Sequence, residues 1–460
     1  MQPLSSQPYK GTRDFYPEDM QIRQWMFNCA RSVLRSFGYQ EYDGPILEPF
    51  ELYAAKTSEE IVNEQLYSLI DRGDRKLALR PEMTPTLSRM VAAKQNELPK
   101  PIRWFSIPNL WRYERPQKGR LREHWQINVD VFGGNAFCQD LEICELIVAL
   151  MDGFGAKDGY KIKLNHRGLT LHLFSEILKL PAQKIPVVGR LLDAALKMEK
   201  QAFTKALKEE GLDPAQVQTL LSILEPQDIS KIFLNNPEYL YLQKILNGLK
   251  SLNIDSCFEL DPAIMRGFMY YTGLVFEVYD LHPENNRAIL GGGRYDNLVS
   301  LFGGAPLSGV GFGLGDVTLR NFLEVRGLIP QFKKPKNLFI ASVTDGEFLA
   351  VQKLAKNFRE KFKEFGKAVS VLTSLEAQRP KKSFQIAEKL DARAIIFVGP
   401  TENLRPEHVR DVHATESNAN STQYNEGAKQ VFTMKDLVTG EQLQGNVDEL
   451  AGFMIKACEQ

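Results

Sequence analysis

Ile22, Trp25, Met26, Cys29, Ala30, Val33, Leu34 and Phe37 recur at three- and four-residue spacing, which puts them on one face of a helix over residues 19–37, closed by Gly38. The texture then changes to short runs rich in β-branched and aromatic residues: Lys76–Arg80, Ile102–Ile107, Leu110–Glu114, His124–Phe132 and Tyr270–Tyr279. Short connections between several of them predict hairpins and an antiparallel sheet. Within 124–131, His124, Gln126, Asn128 and Asp130 alternate with Trp125, Ile127, Val129 and Val131, so one face of that strand is polar and the other apolar. Helical blocks separate from the strands indicate an α+β arrangement.

Residues 168–255 carry three or four helical periods in Leu, Lys, Glu, Gln and Ala, and strand-type sequence resumes at 257. This stretch reads as a helical insertion, dividing the first part of the chain into 1–167, 168–255 and 256–330. From about 335 the apolar runs NLFIASV, AVSVLT and AIIFVGP alternate with helices over 353–365 and 381–390, the pattern of a small parallel α/β domain over 335–460. The polar, aperiodic segment 403–428 reads as a long surface loop.

A chain of 460 residues with 43% apolar and 25% charged content suits about three globular domains. Its 57 basic and 57 acidic residues cancel, which excludes indiscriminate coating of nucleic acid through bulk charge. The cancellation is between regions: residues 331–390 carry a net +7 and 391–460 a net −5. The N-terminal residues lack the features of a secretory signal and no 18-residue apolar run occurs, so the expectation is a cytoplasmic protein without a membrane span. The five cysteines, at 29, 138, 144, 257 and 458, never fall in a CxxC spacing, so no disulfide framework or zinc knuckle is indicated.

Three stretches carry candidate chemistry. Residues 112–123 hold five basic residues against two acidic ones, on what reads as a hairpin with a basic tip. Such a hairpin is either a solvated surface feature or a platform where arginines grip phosphate while an amide and a carboxylate orient a polar ligand. In Leu79-Arg80-Pro81-Glu82-Met83-Thr84-Pro85, Thr84 and Pro85 suit the N-cap and first position of a helix reaching about residue 95, with Glu82 just ahead of it. Arg266-Gly-Phe-Met-Tyr-Tyr271 is followed by Gly291-Gly292-Gly293-Arg294-Tyr295-Asp296, where a glycine triplet allows a tight turn, a bulge or close approach of a ligand or strand. No Rossmann GxGxxG, P-loop, HExxH or GxSxG motif is present.

Together these residues resemble histidyl-tRNA synthetases, a family of class II aminoacyl-tRNA synthetases, over almost the full length. Gly38-Tyr39 through Gly44-Pro45 resembles class II motif 1; Arg112-Tyr113-Glu114 with the Arg115–Arg122 loop resembles motif 2; Gly309–Gly315 stands where motif 3 belongs. Arg266–Tyr271 and Gly291–Asp296 resemble the two histidine-specific signatures. The resemblance implies an antiparallel catalytic sheet, a helical insertion and a C-terminal α/β anticodon-binding domain in a homodimer. It implies ATP-dependent activation of L-histidine, with Mg2+ on the phosphates, and transfer to the 3′ end of tRNA-His. Arg112 and Arg266 would act in catalysis from opposite sides of the α-phosphate. Glu82, Thr84, Gln126, Asp130, Tyr270 and Tyr271 would surround histidine. Arg112, Glu114 and Arg120 would bind ATP, while Arg115, Lys118 and Arg122 would meet tRNA phosphates.

Four features depart from the family pattern. Met269 stands for the usual Asp, Asp130 for the usual Glu, and Asp316-Val317 for the Glu-Arg of motif 3; the fourth is the 403–428 loop. Arg320, one turn beyond Val317, either replaces the motif 3 arginine or forms surface ion pairs. The departures leave two further readings: a non-catalytic paralogue that binds histidine and regulates ATP phosphoribosyltransferase, and a tRNA-binding accessory protein.

Overall fold

The computed structural model describes residues 4–54, 64–195, 198–224, 226–264, 271–285, 287–332, 336–399 and 431–459. The 403–428 segment therefore lies outside the described residues. The chain divides into two compact units, Met1–Pro330 and Gln331–Gln460.

In the first unit the opening helix spans Pro17–Ser36, and Gly38 takes φ +80°, a left-handed conformation that costs glycine nothing and ends the helix sharply. Its Met26, Phe27, Ala30 and Leu34 share a core with Ile143, Ile147 and Leu150 of the Ala136–Gly153 helix. Each such fully buried large side chain contributes roughly 1.5–3 kcal/mol. Asn135 caps that second helix, its side chain accepting from the Cys138 N–H.

These helices cover one face of a nine-stranded sheet whose path runs Gln40–Glu41, Ile102–Ser106, Glu123–Phe132, Gly309–Gly315, Ala288–Arg294, Leu274–Asp280, Tyr160–His166 and Phe258–Leu260. Asn109–Trp111 pairs separately with Glu123–Trp125. The interior pairings are antiparallel, as the hairpin-like spacing predicts, whereas the first and last strands of the path pair in parallel with their neighbours. A two- or three-residue edge strand leaves no alternation for sequence to register. Between the Tyr160–His166 and Phe258–Leu260 strands the chain forms a series of helices from Arg167–His172 to Pro237–Ser251.

Two local expectations need correction. The helix after Glu82 runs Thr84–Lys94 with Met83 at its N-cap, and no side chain caps it. Thr84 is thus already helical and free to face a ligand. The glycine triplet is neither turn nor bulge: Gly291, Gly292 and Gly293 lie in regular register between two antiparallel neighbours. A Cβ on Gly292 would meet the Gly311 carbonyl oxygen at 2.1 Å, and one on Gly293 the Tyr271 ring at 2.8 Å.

The second unit holds a five-stranded sheet ordered Ser370–Thr373, Asn337–Ser342, Ala392–Val398, Phe432–Asp436 and Gln442–Gly445. Its first three strands are parallel, with helices Phe348–Glu364 and Pro380–Lys389 between them. The last two are antiparallel, so the sheet is mixed rather than purely parallel. Val351, Leu354 and Phe358 of the long helix pack on Leu338 and Ile340.

Candidate active site

The Glu123–Phe132 strand crosses the middle of the large sheet. Ile127, Val129 and Val131 enter the main core, so the pleat turns His124, Gln126, Asn128 and Asp130 to the opposite face. Room for these side chains comes from the next strand, where every second residue is glycine. A Cβ at Gly311 would lie 2.2 Å from Asp130 Oδ1, and one at Gly313 2.6 Å from Gln126 Cδ. The intervening Val310, Phe312 and Leu314 belong to the core. The alternating glycines therefore hollow out one face of the sheet while the other stays packed.

The hollow is a cavity of about 250 Å³. Glu82, Thr84, Arg112, Glu114, Arg120, Gln126 and Tyr271 all line it. They come from the helix start, the hairpin, the central strand and the segment before Leu274. The polar face of the hairpin is thus not a solvated surface; Asn128 and Asp130 are buried. Arg115 and Lys118 are exposed on the hairpin tip and do not reach the cavity. Arg122 lies outside it too and is structural: it stacks on Tyr113, donates to the Tyr9 hydroxyl at 2.6 Å and bonds through its backbone to Arg112 and Gly11. Arg266, Met269 and Tyr270 lie outside the described residues.

Asp130 lies buried on the same face, behind the lining residues Tyr295 and Gly311, and is not itself part of the cavity wall. Its Oδ1 accepts from the Tyr295 hydroxyl, while Oδ2 has no hydrogen-bond partner among the described residues. Burial, reinforced by the nearby Glu82 carboxylate and opposed by the Tyr295 hydrogen bond, pushes its pKa up to about 7. A buried carboxyl with one unsatisfied oxygen is an acceptor awaiting a donor. Along the same face His124 is pushed down to about 3 by burial and by the Arg112 and Arg13 guanidinium groups, so it is a neutral imidazole at working pH.

Arg112 is held at the other end. Its Nε donates to the Pro81 carbonyl at 2.9 Å, and its Nη1 stands 3.9 Å from Glu114 Oε1. Arg120 Nε approaches Glu114 Oε2 at 3.3 Å. One carboxylate thus steadies two guanidinium groups, leaving a net positive end suited to phosphate. Asp316, at the motif 3 departure, is buried under Arg13 at 2.6 Å and accepts the Trp125 N–H at 2.9 Å. Val317 beside it lines the cavity. Arg320 pairs with Asp19 at 2.9 Å and Glu324 at 2.7 Å, away from the cavity, which leaves the ion-pair reading of that residue.

His124, Asn128 and Tyr295 also line the cavity and were not among the expected site residues. The first two share the period-2 polar face with Gln126, and that pattern alone could have found them. Arg294, in the same signature as Tyr295, is structural: it is buried against Asp140 at 2.5 Å.

The histidyl-tRNA synthetase family profile matches residues 11–317. The chain is 42% identical over 406 residues to a histidine–tRNA ligase of Leptospira biflexa, covering 87% of this chain and 92% of that one. It is 32% identical over 454 residues to a histidine–tRNA ligase of Pyrococcus horikoshii, covering 96% of each. Among solved structures, the histidyl-tRNA synthetase of Nostoc sp. PCC 7120 superposes with a TM-score of 0.72 at 22% identity, over 99% of this chain and all of that one.

Proposed function

Because the chain belongs to the histidyl-tRNA synthetase family, we propose that the cavity under the glycine-rich strand is where L-histidine and ATP become histidyl-adenylate. The reaction of the family is ATP-dependent ligation of histidine to tRNA-His. The histidine carboxylate attacks the α-phosphorus, the bond from that phosphorus to the bridging oxygen breaks, and pyrophosphate leaves with the electron pair. The 3′-terminal ribose hydroxyl of the tRNA then attacks the acyl carbon, the bond from that carbon to the phosphate oxygen breaks, and AMP leaves.

One observation carries the assignment: seven residues from separate stretches of sequence converge on a single cavity, with Glu82, Thr84, Gln126 and Tyr271 at the end we assign to histidine and Arg112 and Arg120 grouped about Glu114 at the end we assign to the nucleotide. At the first end Glu82, Thr84, Gln126, Asp130 and Tyr271, together with Tyr270, hold histidine. Asp130 Oδ2 accepts an imidazole N–H, and a competitor without that N–H leaves the buried carboxyl unsatisfied, a penalty that supplies selectivity. At the second end Arg112 meets the α-phosphate, with Arg266 on its other side, and Glu114 and Arg120 bind the nucleotide. Fixed guanidinium charges stabilise the extra negative charge of the pentavalent transition state without having to reorganise.

Mg2+ enters with the nucleotide. Glu114 is a carboxylate on the wall of the cavity, its Oε2 3.3 Å from Arg120 Nε, and a carboxylate completed by substrate phosphates and water is the donor set that would accept Mg2+. When bound, the ion neutralises charge on the departing phosphates.

Arg115 and Lys118 on the exposed tip meet acceptor-stem phosphates, while Arg122, committed to Tyr9 and Tyr113, shapes the hairpin behind them. The 168–255 helices form an insertion within a catalytic domain spanning 1–167 and 256–330, and 335–460 binds the anticodon. Ile46, Leu47, Leu69 and Ile70 stand exposed around one three-stranded sheet, an apolar surface suited to a second copy of the chain in a homodimer. No described helix is long and apolar enough to cross a membrane.

Pyrophosphate exchange tests the reading. Exchange should require L-histidine, and absence of exchange at saturating histidine, ATP and Mg2+ would favour the regulatory paralogue instead.

A further inference from the structure

Arg112 and Arg120 each have a protein acceptor within reach, but a third cation beside them has none. Arg287, immediately before the Ala288–Arg294 strand, makes no hydrogen bond or ion pair among the described residues. Its side chain runs across Gly119 of the hairpin tip: a Cβ there would lie 2.9 Å from Arg287 Cδ and 3.5 Å from its Nε. Gly119 also has φ +79°, so both backbone and space require glycine where the hairpin closes over the arginine.

Arg287 lines a small hollow of about 40 Å³ that shares Gly119, Ile289 and Thr318 with the main cavity. Thr318 is fixed there, its hydroxyl donating to the Ile289 carbonyl at 3.0 Å. Burial and the neighbouring Arg120 charge both work against the protonated guanidinium, and Glu114 favours it. Two neighbouring guanidinium groups with the single Glu114 carboxylate beside them leave a net positive charge that favours an anion. Lys118, Asp280 and Glu284 also line the small hollow, but Lys118 lies 3.7 Å from Glu284 and Asp280 2.6 Å from Arg326, while Val317 on the main cavity wall carries no charge.

We propose that Arg287 is a nucleotide-binding residue which, with Arg120, holds the β- and γ-phosphates of ATP and the pyrophosphate they become. The inference rests on the adenylate-forming reading above. It differs from that reading in giving this strand entry, rather than the following helix, the cation that faces the outer phosphates. Contact at that end predicts a specific split: ligands carrying the outer phosphates need Arg287, and ligands that end at the α-phosphate do not.

The test is histidine-dependent pyrophosphate exchange with wild type, Arg287→Ala and Arg287→Lys. In Arg287→Ala the KM for ATP and for pyrophosphate should each rise tenfold or more, with the KM for histidine within twofold. A non-hydrolysable histidyl-adenylate analogue, which lacks pyrophosphate, should bind both proteins equally, and Arg287→Lys should recover part of the loss. An unchanged ATP KM overturns the inference, as does loss of analogue binding in parallel with ATP, which would make Arg287 a prop for the hairpin. Absence of exchange in the wild type would instead overturn the adenylate-forming reading beneath it.

Discussion

Replacing Asp130 by Asn keeps the side chain's shape and an acceptor for the Tyr295 hydroxyl, and removes only its titration. Burial raises the Asp130 pKa to about 7, against about 3.9 in an unfolded chain. Between those values the folded protein holds a proton that the unfolded chain releases. The stability this confers is complete below about pH 4 and is lost as pH rises through about 7, at about 1.4 kcal/mol per pH unit, roughly 4 kcal/mol over the whole window. Asn has no such dependence. The difference in unfolding free energy should therefore move in favour of Asp130→Asn by roughly 2 kcal/mol between pH 5.5 and 7, and then stay level to pH 8.5. Urea unfolding of both proteins at these three pH values measures it, since titrations common to both cancel. All four tryptophans, at 25, 104, 111 and 125, lie in the Met1–Pro330 unit, so their fluorescence follows the unit that contains Asp130. A difference that does not vary with pH, or that shifts toward the wild type at pH 8.5, would refute the argument. The same substitution should raise the KM for histidine, because an amide is a weaker acceptor than a carboxylate. Stability gained and affinity lost at one atom would identify Asp130 as a group kept for binding.

Gly311→Ala puts a methyl group 2.2 Å from Asp130 Oδ1 and 2.5 Å from the Val129 carbonyl; it should destabilise the first unit by about 1–3 kcal/mol and abolish exchange, as thermal unfolding and exchange assays will report. Arg115→Ala with Lys118→Ala should leave pyrophosphate exchange unchanged, weaken tRNA binding, and reduce its salt dependence by about one unit of slope per lost phosphate contact. Arg320→Ala should leave the KM for ATP within twofold, since its partners are Asp19 and Glu324; a tenfold rise would return it to the nucleotide site. Ile70→Glu, at a position 70% exposed on the small sheet, should convert a dimer to monomer in light scattering.

Periodicity made much of the architecture legible. The opening helix, the antiparallel strands and the α/β texture of the second unit follow from repeats of 3.6 and 2 that local burial imposes on sequence. The polar face of residues 124–130 was legible as well, because alternation survives whichever partner a strand finds. Its environment was not, since a polar face looks the same whether it meets water or the floor of a cavity. The difference lies in the strand beside it, whose alternating glycines read in isolation as a loose motif. Short edge strands escaped for lack of length, and the mixed character of the C-terminal sheet because two antiparallel additions leave no mark on the parallel core.

By itself the sequence determined the order of elements, the cluster of basic residues in a neutral chain and the signatures that identify the family, because these depend on spacing and composition along one dimension. Tertiary structure decided which charges have partners. Burial among elements remote in sequence, with the Glu82 carboxylate nearby, pushes the Asp130 pKa up to about 7 against the opposing hydrogen bond from Tyr295. Arg320 and Arg294 are committed to ion pairs with Asp19 and Asp140, whereas Arg287 has none among the described residues. The electrostatic energy of a group depends on its distance to other charges and on how much water is excluded around it, and neither exists until the chain has folded.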